Sequence, residues 1–158
     1  MSLLENFSFD ELVIGQSASY SRVVTDEAVR LFAAVSGDVN PVHLDEEFAA
    51  TTQFKGRIAH GMFTAGLISA AIAMELPGPG VIYLGQELRF ERPVRIGDTI
   101  TVELTVSGKT PGKNFVQLQT VARNQHGKTV VSGVANVLPA AEKIRIERPA
   151  EPRVSVLG

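Results

Sequence analysis

The stretch GMFTAGLISAAIAMEL, residues 61–76, decides the fold of this chain. Apolar or small residues fill nearly all of its positions, which predicts a helix with protein around it on almost every face. Such a helix would be about 24 Å long, shorter than the roughly 20 apolar residues of a membrane span require. The sequence PGPG at 77–80 then ends the helix, because prolines and glycines are strong helix breakers.

Beyond this helix the hydrophobic period changes to the two-residue alternation of β-strands. Strands of about ten residues are predicted at 81–94, 99–109, 114–124 and 128–138. Short glycine-containing turns separate them, so neighbouring strands should pair antiparallel. One buried helix followed by four long strands predicts an α+β fold in which a curved antiparallel sheet wraps around the helix.

Before the helix, residues 17–25 predict a further strand. Thr25 is a suitable N-cap for a helix that begins with two acidic residues, and Gly37 is a suitable stop. A second short helix is predicted at 46–51. The intervening run DVNPVH, residues 38–43, is so rich in turn-forming residues that it predicts a turn and not a helix.

Length and composition indicate one globular domain. The chain has 158 residues, of which 44% are apolar and 20% are charged. We expect the domain to cover residues 1–139. Residues 140–158, which Pro149 and Pro152 interrupt, are expected to form an extended or partly disordered tail.

Charge and cysteine content exclude several classes of function. The net charge of -2 gives no general attraction to nucleic acids or acidic membranes. The absence of cysteine excludes disulfides, thiolate catalysis and cysteine-bound metals. The first residues, MSLLENF, lack the pattern of a secretory signal, so a cytoplasmic enzyme is expected.

Asp38, His43 and Gly61 carry the functional prediction. A carboxylate and an imidazole five residues apart are a possible base and its partner, and a helix beginning at Gly61 offers free N–H groups to an oxygen. These parts suit the addition of water to a double bond beside a carbonyl group. Ordinary turn chemistry, a satisfied histidine and a glycine kept for helix packing are the alternatives.

Several spaced motifs resemble one enzyme family. They are DVNPVHLD at 38–45, FAATT at 48–52, HGM at 60–62, YLGQ at 83–86 and PVRIGD at 93–98. In this order they resemble the MaoC-like (R)-specific enoyl-CoA hydratases, and in particular the short bacterial enzymes that supply (R)-3-hydroxyacyl-CoA for polyhydroxyalkanoate synthesis. The resemblance implies a hot-dog fold, a homodimer, an acyl-CoA substrate, and neither a metal nor an organic cofactor.

The resemblance also assigns roles to residues. It implies that Asp38 and His43 are the catalytic pair, which activates water for addition to trans-2-enoyl-CoA, and that the Gly61 amide binds the thioester carbonyl. Asn40 is expected to orient a catalytic side chain or to shape the turn.

Two residues of the central helix are further candidates for substrate binding. Ser69 matches a family position near the active site, although a buried helical serine can instead bond the preceding turn. Ile72 matches a position where a bulky aliphatic residue closes the acyl pocket, although such residues more often belong to the core.

The other two histidines are not assigned to catalysis. His60 is expected to have a structural role in the loop, and His126 is expected to be exposed in a hairpin turn. Scattered histidines without a carboxylate at ligand spacing do not predict a metal site.

Three rival functions remain open. A 3-hydroxyacyl dehydratase acting on acyl-carrier protein would need a basic rim, for which there are five candidates: Arg22, Arg57, Arg89, Arg92 and Arg95. The same arginines would serve the phosphates of CoA. A hot-dog thioesterase would need a carboxylate on the central helix, where the first one, Glu75, comes only at the far end. A catalytically silent acyl-thioester-binding protein would not need Asp38, His43 and Gly61 together.

Overall fold

The computed structural model describes residues 2–158. Its elements in chain order are β1 (Leu3–Glu5), β2 (Ser17–Val23), α1 (Asp26–Ser36), α2 (Pro41–Leu44), α3 (Glu46–Ala50), α4 (Gly61–Met74), β3 (Ile82–Phe90), β4 (Thr99–Thr110), β5 (Phe115–Arg123), β6 (Thr129–Leu138) and β7 (Arg145–Glu147).

Five strands form one antiparallel sheet in the order β2-β4-β5-β6-β3. The four strands predicted after the central helix are confirmed, with ends that differ by a few residues. β4 and β5 alternate between buried and less buried positions, because one face of each strand packs on the core. β2 and β3 are the two edges of this sheet.

Helix α4 packs one side against the sheet. Its buried residues recur at helical spacing: Thr64, Leu67, Ile68, Ala71 and Ile72. The prediction of a helix covered on almost every face was wrong for the single chain, because Met62 is 59% exposed and Gly66 is also exposed. The helix therefore presents a second, uncovered apolar side.

Helix α1 leads directly into the candidate site. Its N-cap is Thr25, whose Oγ1 accepts from the Ala28 N–H at 3.0 Å, as predicted. Its C-cap is Gly37, which has a φ of 80°. Glycine adopts this left-handed conformation without steric cost, so the chain can turn sharply just before Asp38.

The C-terminal segment contacts both the N-terminus and the β2 edge. β7 pairs with β1 in a separate two-stranded sheet, and Glu151 forms a two-point ion pair with Arg22 on β2. The rest of 140–158 contains no helix or strand. The division of the chain at residue 139 stays a prediction. No helix within residues 2–158 has both the length and the apolar character needed to cross a membrane.

Candidate active site

Asp38 lies on the loop between α1 and α2, and backbone contacts hold it there. Its N–H donates to Ser36 Oγ at 3.1 Å, and its Oδ1 accepts from the Asn40 N–H at 3.2 Å. The side chain is exposed. Oδ1 of the carboxylate is therefore engaged in the hydrogen bond that closes the turn, whereas Oδ2 makes no bond within the turn and is available as a proton acceptor.

His43 lies on α2, a single helical turn, so the prediction of a turn without a helix was wrong. Asn40 caps this helix, because its Oδ1 accepts from the Val42 N–H at 3.3 Å. Pro41 occupies the first helical position, where the missing N–H of proline would have had no partner. The same residues that favour a turn therefore also favour a helix start. These contacts agree with a turn-shaping role for Asn40.

The ring of His43 is held by the segment that precedes α4. Its Nδ1 lies 2.8 Å from the carbonyl oxygen of Ile58, which can only accept, so Nδ1 carries the proton. In the neutral ring Nε2 is then an acceptor. Arg57 fixes the backbone of His43, because its Nε donates to the His43 carbonyl at 2.7 Å.

Burial is the main influence on His43, and it lowers the pKa of the ring below its ordinary value of 6.5. The hydrogen bond to Ile58 acts in the opposite direction, His60 adds to the lowering of the pKa, and the Asp38 carboxylate raises it. The net lowering favours the neutral ring at pH 7, and therefore an Nε2 that accepts a proton.

His60 is the residue of this site whose contacts the sequence did not predict. It is 2% exposed, and its ring stacks on that of His43 with 3.8 Å between centroids. Its Nε2 lies 2.9 Å from the backbone carbonyl oxygen of Asp38. It is the N-cap residue of α4 but makes no side-chain capping bond. These contacts fix the Asp38 loop beside His43, and they span 17 to 22 positions in sequence.

Asp38, His43 and His60 lie close enough to raise the question of a metal. One potential ligand atom from each can be chosen so that all three lie within 4.8 Å of one another. The two rings, however, are stacked with only 28° between their planes. Ring lone pairs lie in the ring plane, so face-to-face rings do not direct them to one ion. The arrangement suits proton handling better than metal binding.

Gly61 begins α4, and its N–H has no acceptor within the helix. A Cβ placed on Gly61 would lie 2.8 Å from Cε1 of Phe90, so the glycine allows this ring to approach closely. His60, Gly61 and Phe90 line a cavity of about 340 Å³ at this end of the helix. The position suits a thioester oxygen that approaches the positive end of the helix.

A second and wider cavity, of about 600 Å³, lies along the uncovered side of α4. Ser69 and Met62 line one wall, and residues 83–86 of β3 line the other. Ile72 is not part of this lining. It is 1% exposed and belongs to the hydrophobic core. Its role in closing the acyl pocket stays a prediction.

The wall on β3 carries ordered polar groups. Burial raises the pKa of Tyr83 to about 12, so its hydroxyl remains a donor, and it donates to Gln86 Oε1. The Gln86 amide in turn donates to Thr120 Oγ1 at 3.1 Å. Leu84 is the extra residue of a β-bulge between Tyr83 and Gly85. The edge of β3 is therefore unpaired on its outer side, but hydrogen bonds and a β-bulge fix its local conformation.

Two of the five arginines proposed for phosphate binding form ion pairs, and a third, Arg92, donates to the Thr129 carbonyl at 2.7 Å. Arg22 pairs with Glu151 at 2.8 Å, and Arg57 lies 2.8 Å from Asp26 while also holding His43. Arg95 lines a groove with Lys55 next to the first cavity. His126 is exposed, as expected.

Comparison with known proteins gives a consistent result. Residues 12–128 match the family described as MaoC like domain. An (R)-specific enoyl-CoA hydratase of Rhodospirillum rubrum is 48% identical over 133 residues, covering 84% of this chain and 92% of that protein. The unliganded structure of the R-hydratase PhaJ1 from Pseudomonas aeruginosa is 54% identical with a TM-score of 0.93, covering 98% and 99% of the two chains. The structure of an (R)-hydratase from A. caviae involved in PHA biosynthesis is 44% identical with a TM-score of 0.78, covering 80% and 96%.

Helix α4 inside its antiparallel sheet is the hot-dog fold, and the chain belongs to the MaoC-like family. Among the members of that family, it is similar to (R)-specific enoyl-CoA hydratases over most of its length.

Proposed function

We propose that this chain catalyses the reversible, (R)-specific hydration of trans-2-enoyl-CoA to (R)-3-hydroxyacyl-CoA. The observation that carries the proposal is the meeting of the Asp38 carboxylate and the His43 ring at a loop held by His60, the residue before the N-terminus of α4. The names of the similar hydratases support the same reaction.

The proposed mechanism uses two side-chain atoms that accept hydrogen bonds from water and one backbone N–H that donates to the thioester oxygen. Asp38 Oδ2 and His43 Nε2 each accept one hydrogen of a water molecule, and Asp38 takes its proton as the oxygen bonds to C3 of the substrate. The electron pair of the C2–C3 double bond forms a C1–C2 double bond as the carbonyl π pair moves onto the thioester oxygen, and the Gly61 N–H stabilises the resulting enolate oxygen. The Asp38–His43 pair then delivers the proton to C2, and the thioester carbonyl re-forms. Water is thereby added from one face of the double bond.

A homodimer is part of the proposal. In the single chain the Asp38 side chain is exposed, and the cavity at Ser69 opens on the uncovered sides of α4 and β3. A second copy laid against these sides would cover the cavity and pair the free edge of β3. We expect no nucleic acid or membrane partner, and a cytoplasmic location, where acyl-CoA is available.

The carrier of the acyl group is expected to be CoA. A dehydratase acting on acyl-carrier protein would use a broad basic rim. The ion pairs of Arg22 and Arg57 reduce the number of arginines that could form one. A compact set such as Arg95 and Lys55 suits the phosphates of a small carrier.

Hydration of crotonyl-CoA tests the proposal. The purified protein should consume the enoyl-thioester absorbance, and chiral analysis should identify (R)-3-hydroxybutyryl-CoA as the product. Crotonyl-acyl-carrier protein should be hydrated with a lower kcat/KM. Absence of hydration, or an (S) product, would refute the assignment.

A further inference from the structure

His60 touches both members of the candidate pair and also lines the cavity at the N-terminus of α4. Its Nε2 contacts the Asp38 backbone carbonyl at 2.9 Å, and its ring covers one face of His43. We propose, on the basis of the hydratase function above, that His60 is a positioning residue: the Nε2–H hydrogen bond to the Asp38 carbonyl fixes the general base against His43.

The hydrogen-bonding pattern defines the form of His60. A carbonyl oxygen only accepts, so Nε2 carries the proton and Nδ1 is bare in the neutral ring. Nδ1 is buried and has no partner within residues 2–158. In this tautomer His60 donates a hydrogen bond to the Asp38 loop through Nε2.

The Asp38 loop depends on hydrogen bonds because packing does not hold it. The side chain of Asp38 and its neighbours Gly37 and Val39 are exposed. The Ser36 hydroxyl holds the N–H of Asp38, and His60 holds the carbonyl, so the two bonds secure the peptide groups on both sides of the base. A displacement of about 1 Å in a reacting group can cost about 10²-fold in rate.

The ring of His60 is itself fixed on two sides. Phe32 packs against it at 4.8 Å between centroids, and Phe32 also contacts Phe63 edge-on at 6.0 Å. Phe32 lies on α1, six residues before Asp38, and Phe63 lies on α4. The stack from Phe63 through Phe32 and His60 to His43 therefore ties both helices to α2.

A matched pair of variants isolates the hydrogen bond. His60→Gln retains an amide N–H at about the reach of Nε2, whereas His60→Met has a similar length but no donor. For crotonyl-CoA hydration we expect kcat of His60→Met to fall at least tenfold below that of His60→Gln, with KM values of the two variants within about threefold of each other, because Gln and Met fill a similar volume beside the cavity. His60→Phe, which keeps the aromatic stack but not the donor, should behave like His60→Met.

Two results would overturn the positioning role. One is equal kcat in the folded Gln and Met variants, and the other is a Phe variant with half of the parent kcat. The Gln and Met pair carries the test even if the Phe variant does not fold.

An activity-independent measurement separates this proposal from the proposed reaction. Backbone amide exchange at 38–40 should be faster in His60→Met than in His60→Gln. An inactive parent protein would refute the hydratase function alone, whereas equal exchange in the two variants would refute the positioning by His60.

Discussion

Asp38 and His43 are held in place in opposite ways. Asp38 has an exposed side chain and a backbone fixed by hydrogen bonds, whereas His43 is 8% exposed and fixed through its Nδ1–H. In the proposed mechanism this difference matters, because the exposed carboxylate of Asp38 would take a proton from the water molecule while the buried, neutral ring of His43 would orient it.

Asp38→Asn should retain the fold and lose hydratase activity. The carboxamide oxygen can still accept the Asn40 N–H, but an amide does not take a proton at neutral pH, so kcat should fall by at least about 10²-fold. His43→Gln should have an effect of the same order. Asp10→Asn, the same chemical change at another exposed position, is the control and should be fully active. Half of the parent kcat in Asp38→Asn or His43→Gln would disprove the assigned roles.

The lowered pKa of His43 predicts where activity is lost in acid. Nε2 must be unprotonated to accept from water, so the active form exists above the pKa of the folded protein. Because burial lowers this pKa below 6.5, the acid limb of kcat/KM against pH should have its midpoint below 6.5. The same shift makes folding less favourable as pH falls below 6.5, since the unfolded chain then binds more protons. A limb centred above 6.5 would contradict the assignment.

Local motifs predicted Asp38, His43 and Gly61, but not the histidine that joins them. Asp38 and Asn40 form their turn within three residues, and Gly61 starts its helix at a recognisable boundary. His60 contacts Asp38 across 22 positions and His43 across 17. Such contacts depend on how α2 packs beside the N-terminus of α4, which local patterns do not contain. The α2 turn was missed because Asn-Pro favours both a turn and a helix start.

Helix α4 has one side in the core and another on the open cavity. Ile72 follows Ser69 by three residues, which places it roughly 60° around the helix from that cavity-lining serine. It therefore lies at the boundary between the two sides. The apolar pattern predicted the helix, but it could not distinguish the side that faces the core from the side that faces the cavity, because small and apolar residues occur on both.

Ile72→Ala tests whether this boundary limits the acyl chain. The variant should lose about 2–5 kcal/mol in unfolding free energy, measured by urea denaturation, because the residue is buried in the core. If the vacated space joins the acyl path, kcat/KM for an eight-carbon enoyl-CoA relative to crotonyl-CoA should rise several-fold, at roughly 1 kcal/mol per methylene.

Ile100→Ala is the matched control for this experiment. Ile100 is equally buried but lies on β4, which β5 and β6 separate from β3. The Ile100→Ala variant should have a lower free energy of unfolding, but the same ratio of kcat/KM for the eight-carbon substrate to kcat/KM for crotonyl-CoA as the parent protein. The same ratio in both folded variants would assign Ile72 to the core alone.

The two edges of the main sheet differ in what they contact. β2 meets the C-terminal segment through the Arg22–Glu151 pair, whereas β3 carries exposed apolar side chains, among them Ile82, Leu84 and Phe90. An exposed apolar edge strand offers backbone groups and hydrophobic area to a second copy. The open side of α4 continues this surface through Met62. The alternation of apolar and polar residues in β3 predicted a strand. That this strand is an unpaired edge follows only from its position at the end of the sheet order.

This difference predicts a dimer that forms through β3. The parent protein should sediment as a dimer, and Leu84→Lys should sediment as a monomer, because a lysine at this edge would have to lose its hydration in the contact. Val23→Lys, which places the same charge on the β2 edge at a valine that is 52% exposed, should remain dimeric. A monomeric parent would exclude the dimer. A dimer that tolerates Leu84→Lys but not Val23→Lys would move the contact to β2, and the cavity beside Ser69 would then stay open in the assembly.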